Sequence, residues 1–121
     1  MIALLAVLAG GVGAGARFLV DGWARQLAGR RYPIGTLLVN ATGSLLIGLL
    51  AGFAGNVAPE EWRIILGTGF LGGYTTFSAA AVEVVELLGA HRYAAAAAHA
   101  VGMLALCTAL AAAGWVVGTA S

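Results

Sequence analysis

Of the 121 residues 61% are hydrophobic, six are basic and five acidic, and the mean hydropathy is +0.97. Soluble domains carry several times that density of charge, so the balance reads as an integral membrane protein. A net charge of +1 without a basic cluster argues against nucleic acid as a partner. One cysteine, Cys107, leaves no disulfide framework and no cysteine-based metal site within a chain.

The first apolar run opens directly on Met1-Ile2-Ala3-Leu4-Leu5. Without a basic n-region it is expected to be a span of the mature protein and not a cleaved signal. Crossing ~30 Å of hydrocarbon takes ~20 helical residues, and four stretches qualify, at residues 2–20, 34–54, 62–88 and 93–118. The expected fold is therefore all-α: a single transmembrane domain over residues 1–121, with four transmembrane helices per chain. The connections are short, so successive helices should pack as neighbours.

Loops one and three share a face that carries Arg25, Arg30, Arg31 and Arg92, whereas the opposite face carries Arg63. Positively charged loops stay in the cytoplasm, so loops one and three are expected there and both termini outside. Gly11-xxx-Gly15, Gly48-xxx-Gly52 and Gly114-xxx-Gly118 put small residues on one helix face, where backbones can approach. With 19 glycines in the chain such spacings also arise by chance.

The third span contains Gly69-Phe70-Leu71-Gly72-Gly73-Tyr74-Thr75-Thr76-Phe77-Ser78. Glycine at 72 and 73 permits unusual φ, and Thr75 and Thr76 can satisfy freed backbone groups. The helix is thus expected to break mid-membrane. Hydrocarbon leaves loose N–H and C=O groups unsatisfied, so such a break survives only where protein or a water-filled path covers it. Exposed carbonyls there suit a small cation, and amides at the following helix start suit an anion.

Several polar residues could serve that route. Asn40 is an amide in an uncharged span; it can donate two hydrogen bonds to an anion or make an interhelical bond. Phe77 adjoins the break and offers the positive edge of its ring. Arg17, costly in a membrane, either pairs with Asp21 one turn on or lines an anion-attracting vestibule. Glu83 could take a proton, bond a helix start or meet a partner's arginine.

Other chemistries find little support. Gly11-Val12-Gly13-Ala14-Gly15-Ala16 imitates a dinucleotide fingerprint, but no acidic residue follows between Asp21 and Glu60. His91 and His99 lack a third zinc ligand at suitable spacing. No His or Lys stands where it would clearly activate a hydroxyl, so no enzyme is expected.

Taken together, Gly10-Gly11-xxx-Ala14-xx-Arg17-Phe18, Gly35-Thr36-Leu37-xx-Asn40-xx-Gly43 and the Gly69 to Ser78 run resemble the Fluc, or CrcB, family of fluoride channels over all four spans. The resemblance implies an antiparallel dual-topology dimer in a prokaryotic plasma membrane. It implies passive fluoride export through narrow pores and a structural sodium ion at the dimer interface. By that likeness Gly72 and Thr75 supply backbone carbonyls to sodium, Asn40, Phe77, Thr76 and Ser78 line the fluoride path, and Arg17 lies in a vestibule. Two positions depart from the family pattern: Ala80 stands where a second pore phenylalanine is usual, and His99, Met103 and Cys107 occupy the polar track of the fourth span. The lopsided arginine count and Ala80 together suggest a heterodimer with an oppositely oriented paralogue, beside the homodimer. The rivals are a non-conducting partner subunit and a small four-helix proton-coupled drug exporter, which would need a carboxylate that the first span lacks.

Overall fold

The computed structural model describes residues 1–28, 34–54 and 59–120. Arg30 and Arg31, two of the four arginines in the orientation count, lie outside the described residues, as does the Asn56 end of the second turn. The chain is all-helical: α1 (Ile2–Ala28), α2 (Ile34–Ala54), α3 (Glu60–Arg63), a π-helical stretch (Ile64–Leu71), α4 (Gly72–Tyr74), α5 (Phe77–Gly89) and α6 (Tyr93–Ala120). Among the described residues four candidate spans are long and apolar enough to cross a bilayer: Ile2–Leu27, Ile34–Phe53, Glu60–Gly89 and Tyr93–Ala120. The chain is a multi-pass membrane protein.

Most large apolar side chains, among them Leu4, Val7, Leu8, Val12, Leu104 and Val117, are exposed on the single chain. A water-soluble bundle would hide them. Between the helices little hydrophobic force acts in a membrane, so contact depends on close backbone approach, and the glycines provide it. Gly48 and Gly52 on α2 face Gly114 and Gly118 on α6: a Cβ on Gly114 would collide with the carbonyl oxygen of Leu45 and the amide of Leu49, and one on Gly118 with Leu49 and Gly52. Two of the three sequence motifs thus form one seam. The third does not, because a Cβ at Gly11 or Gly15 would meet nothing within 4 Å.

A second seam joins α1 to the third span. Gly13 lies against the carbonyl of Phe70, Gly69 against that of Ala6, and Gly73 against that of Gly10. The amide of Gly72 reaches the carbonyl of Gly67, five residues back, which is the mark of π-helical winding. Around this joint lies a small core of Val39, Leu71 and Tyr74, with Phe70, Ala16 and Val20 against it.

The hairpin from α5 to α6 is tight. His91 adopts a left-handed φ of 58°. Its amide bonds the carbonyl of Leu88 and that of Arg92 bonds Leu87, a Schellman closure with histidine in the place usually taken by glycine. The turn is centred on His91, so residues equally far on either side of it come level across the two antiparallel helices.

Candidate functional site

The helix stops at Thr75 and Thr76, not at the glycine pair. Thr75 (φ −79°, ψ 157°) and Thr76 (φ −147°, ψ 120°) are extended, whereas Gly72 is helical at φ −62°, ψ −39°. Gly73 serves close packing on Gly10 instead of a special backbone angle.

Side chains repair the gap. The Nδ2 of Asn40 donates to the carbonyl of Thr76 at 2.8 Å, and its Oδ1 accepts from the amide of Thr76 at 2.8 Å. One amide group thereby satisfies both polar groups of a single peptide residue, as a paired strand would. The remaining Nδ2 proton goes to Sδ of Met103 at 3.3 Å. Thr76 Oγ1 caps α5 by accepting from the amide of Ala79 at 3.2 Å, and Thr75 donates from both N and Oγ1 to the carbonyl of Leu71, each at 2.9 Å. Tyr74 Oη lies 3.0 Å from Thr42 Oγ1, which ties the end of α4 to α2.

These substitutions have a consequence for two carbonyls. In an unbroken helix Thr76 N–H would bond the carbonyl of Gly72, and Ala79 N–H that of Thr75. Both amides are taken by side-chain oxygens instead. The carbonyls of Gly72 and Thr75 are left outside the helical ladder, and they are the two that the sequence resemblance singled out.

Two cavities meet at the break. One, of about 550 Å³, is lined by Asn40, Thr75, Thr76, Phe77, Ala80, His99, Met103 and Cys107, and its wall is chiefly apolar. The other, of about 610 Å³, gathers Arg17, Asp21, Arg25, Thr36, Thr76, Ser78, Glu83 and Glu86. Thr76 belongs to both. The structure therefore brings Asn40 and Phe77 to one side of the threonine, and Arg17, Ser78 and Glu83 to the other. Thr76 and Ser78 hydroxyls lie 3.3 Å apart. Phe77 is 87% exposed, so its ring projects from the single chain.

Asp21 does not pair with Arg17. Its Oδ2 lies 3.2 Å from Nη2 of Arg25, one turn further along α1, and Arg17 makes no ion pair among the described residues. Within the single chain Glu83 is held by two side chains that the sequence reading did not name: Thr36 Oγ1 donates to its Oε2 at 2.8 Å, and His99 Nε2 lies 3.4 Å from its Oε1. His99 is 1% exposed. This pair was missed from sequence, although a signal existed. Glu83 and His99 each stand eight residues from His91, so the tight hairpin sets them opposite one another.

Comparison with known proteins adds kinship to the geometry. The family model described as CrcB-like protein, Camphor Resistance (CrcB), matches residues 4–115. The chain belongs to the CrcB family. Among CrcB relatives, the fluoride-specific ion channel FluC 1 of Leifsonia xyli is 48% identical over 107 residues, covering 88% of this chain and 78% of the relative. FluC 3 of Bifidobacterium longum is 43% identical over 115 residues, 94% of this chain and 95% of its own. The FluC of Coxiella burnetii is 45% identical over 114 residues, 90% of each. The family-model match, residues 4–115, runs from α1 through α2 and the Thr75–Thr76 break into α6.

Proposed function

We propose that this chain is a passive fluoride channel that lowers cytoplasmic fluoride by letting the ion run down its gradient. The observation that carries the reading is its 48% identity to a relative named a fluoride-specific ion channel. Membership of that family places it among transporters, not enzymes. The drug-exporter alternative would need a carboxylate deep in the first span, and α1 carries none before Asp21, which is paired with Arg25.

Fluoride is small and strongly hydrated, so a route must replace its water with convergent donors. Arg17, which has no ion pair among the described residues, draws the anion to the larger cavity, where the Thr76 and Ser78 hydroxyls can donate to it. Beyond Thr76 the Nδ2 of Asn40 becomes the donor. Its bond to Met103 is the one to exchange, because a thioether is a weak acceptor, while the paired bonds to Thr76 hold the break together. The Phe77 ring edge offers further positive potential.

A structural sodium fits the break. Hard cations take oxygen ligands, and the carbonyls of Gly72 and Thr75 have lost their helical donors to Asn40 and Thr76 side chains. One chain supplies two such oxygens; an antiparallel second copy would double the set about a shared axis, at mid-membrane depth. Bound there, the ion contributes fixed positive charge close to the anion path. Phe77, exposed on one protomer, would then be covered by the other.

The arginine bias and Ala80 in the Asn40 cavity favour one arrangement within this reading, a heterodimer with a paralogue inserted the opposite way. In a Cys107→Ala background, a cysteine placed at Arg92 decides orientation. Labelling from one side of the prokaryotic plasma membrane alone marks a fixed insertion, with loops one and three cytoplasmic; labelling from both marks a dual-topology homodimer. Fluoride-electrode measurement of efflux from proteoliposomes decides the function. Efflux absent both from the purified chain and from the chain with its paralogue would leave the non-conducting subunit.

A further inference from the structure

Two of the fourth-span residues that depart from the polar track carry sulfur, Met103 and Cys107. They stand one turn apart on α6 and line the same cavity of about 550 Å³. Cβ atoms at that spacing are ~5–6 Å apart. A helical side chain leans back toward the helix N-terminus, which turns the Cys107 thiol toward Met103. Met103 is buried, and the Nδ2 of Asn40 donates to its Sδ at 3.3 Å, so the thioether is held in place from α2. Cys107 is a free thiol, half-buried on the cavity wall.

We propose that Met103 and Cys107 form a binding site for a soft monovalent cation of the copper(I) or silver(I) class. The donors select that class. Thiolate and thioether sulfur are soft ligands that favour such ions over hard ones, whereas a structural zinc takes four ligands. Among the described residues no three of His, Cys, Asp and Glu come together, so a divalent ion has no set of its own. Soft monovalent ions accept two ligands in line, and metal–sulfur bonds of ~2.3 Å on either side span ~4.6 Å, which one helical turn provides. Charge points the same way. The cavity wall is chiefly apolar, where an unneutralised ion is strongly disfavoured. On binding, the S–H bond of Cys107 breaks, its proton goes to water and the sulfur bonds the metal. Thiolate and monovalent cation then sum to zero, and neither changes oxidation state.

The neighbours leave room for this arrangement. A thioether has two lone pairs, so the Met103 sulfur can keep its bond from Asn40 and still take the metal, while the paired bonds from Asn40 to Thr76 are untouched. His99 stands one turn to the other side of Met103 and also lines the cavity, but by the same lean its ring points away from Met103, and it meets Glu83. The site is therefore a two-sulfur site. It does not depend on the fluoride reading. A metal held there would nonetheless fill the space beside Asn40 and Phe77 that this reading gives to the anion.

The test is calorimetric titration of the full chain in detergent with silver nitrate in chloride-free buffer. One silver ion per chain is expected. Cys107→Ser, which exchanges a soft ligand for a hard one, should weaken binding on the order of a hundredfold, and Met103→Leu, which keeps the bulk, about tenfold. His99→Gln and His91→Asn should bind silver as the wild type does, and zinc nitrate should give no site of comparable affinity. Absence of silver binding by the wild type overturns the proposal, as does binding that survives both sulfur substitutions, a loss in His99→Gln equal to that in Cys107→Ser, or zinc bound as tightly as silver. In proteoliposomes that release fluoride, silver should halt the wild type and leave Cys107→Ser at its own silver-free rate; equal inhibition of both also overturns it. Absence of any efflux would sink the fluoride reading instead, and the titration would still decide the metal site.

Discussion

The seam between α2 and α6 and the break between α4 and α5 solve opposite problems. Along the seam two regular helices satisfy their own backbone, and what they lack is proximity; glycines at 48, 52, 114 and 118 supply it by having no side chain. At the break the backbone is unsatisfied, and what it lacks is partners; Asn40 and Thr76 supply them by having polar side chains of the right length. The first solution is steric and tolerates no added atom. The second is electrostatic and tolerates no missing one.

Substitution should separate the two. The largest effect is expected from Gly114→Leu, whose side chain would drive into the backbone at Leu45 and Leu49; since backbone cannot yield as a side chain can, overpacking should exceed the usual ~1–3 kcal/mol. Size-exclusion chromatography in detergent should show no monodisperse protein. Asn40→Ala comes next. It leaves the N–H and C=O of Thr76 without their side-chain partner, at ~1–3 kcal/mol for each buried group, so thermal unfolding should move down sharply and fluoride efflux should be lost with it. Recovery of full stability in that variant would mean that the break does not depend on the amide.

Thr76→Val is milder. It keeps the shape and removes the cap on Ala79, worth ~1 kcal/mol, so the protein should fold with a slightly lower melting temperature. Efflux should drop more than stability does, because the same hydroxyl lines both cavities. The smallest effect belongs to Gly11→Ala, where a Cβ meets nothing within 4 Å. In detergent it should change stability by less than ~0.5 kcal/mol. A loss of dimer in cross-linking by this variant, with the monomer intact, would identify that face of α1 as covered by a second protomer.

How much of this could be read beforehand varied with the range of the interaction. Four apolar runs and their short links are local in sequence, and they announced the bundle. The break was also announced, though by its glycines, while the extended residues proved to be the threonines that follow. Asn40 stood out as a polar group in an uncharged span, yet its pairing with Thr76, 36 residues away, depends on how α2 crosses the third span. Asp21 shows the limit of spacing rules from the other side: Arg17 and Arg25 are both one turn from it, and packing chose Arg25.

Composition alone made this a membrane protein, because 61% apolar residues with eleven charges can be buried only in lipid or against each other. The glycine and threonine run alone marked where the third span would be interrupted, since the residue types that loosen and repair a helix must lie at the place where it breaks. What tertiary structure decided was which partner each polar group found. Those pairings join residues far apart in the chain, Asn40 to Thr76 and Thr36 to Glu83 to His99, and they are settled by the angle and register at which helices meet, quantities that no single helix contains.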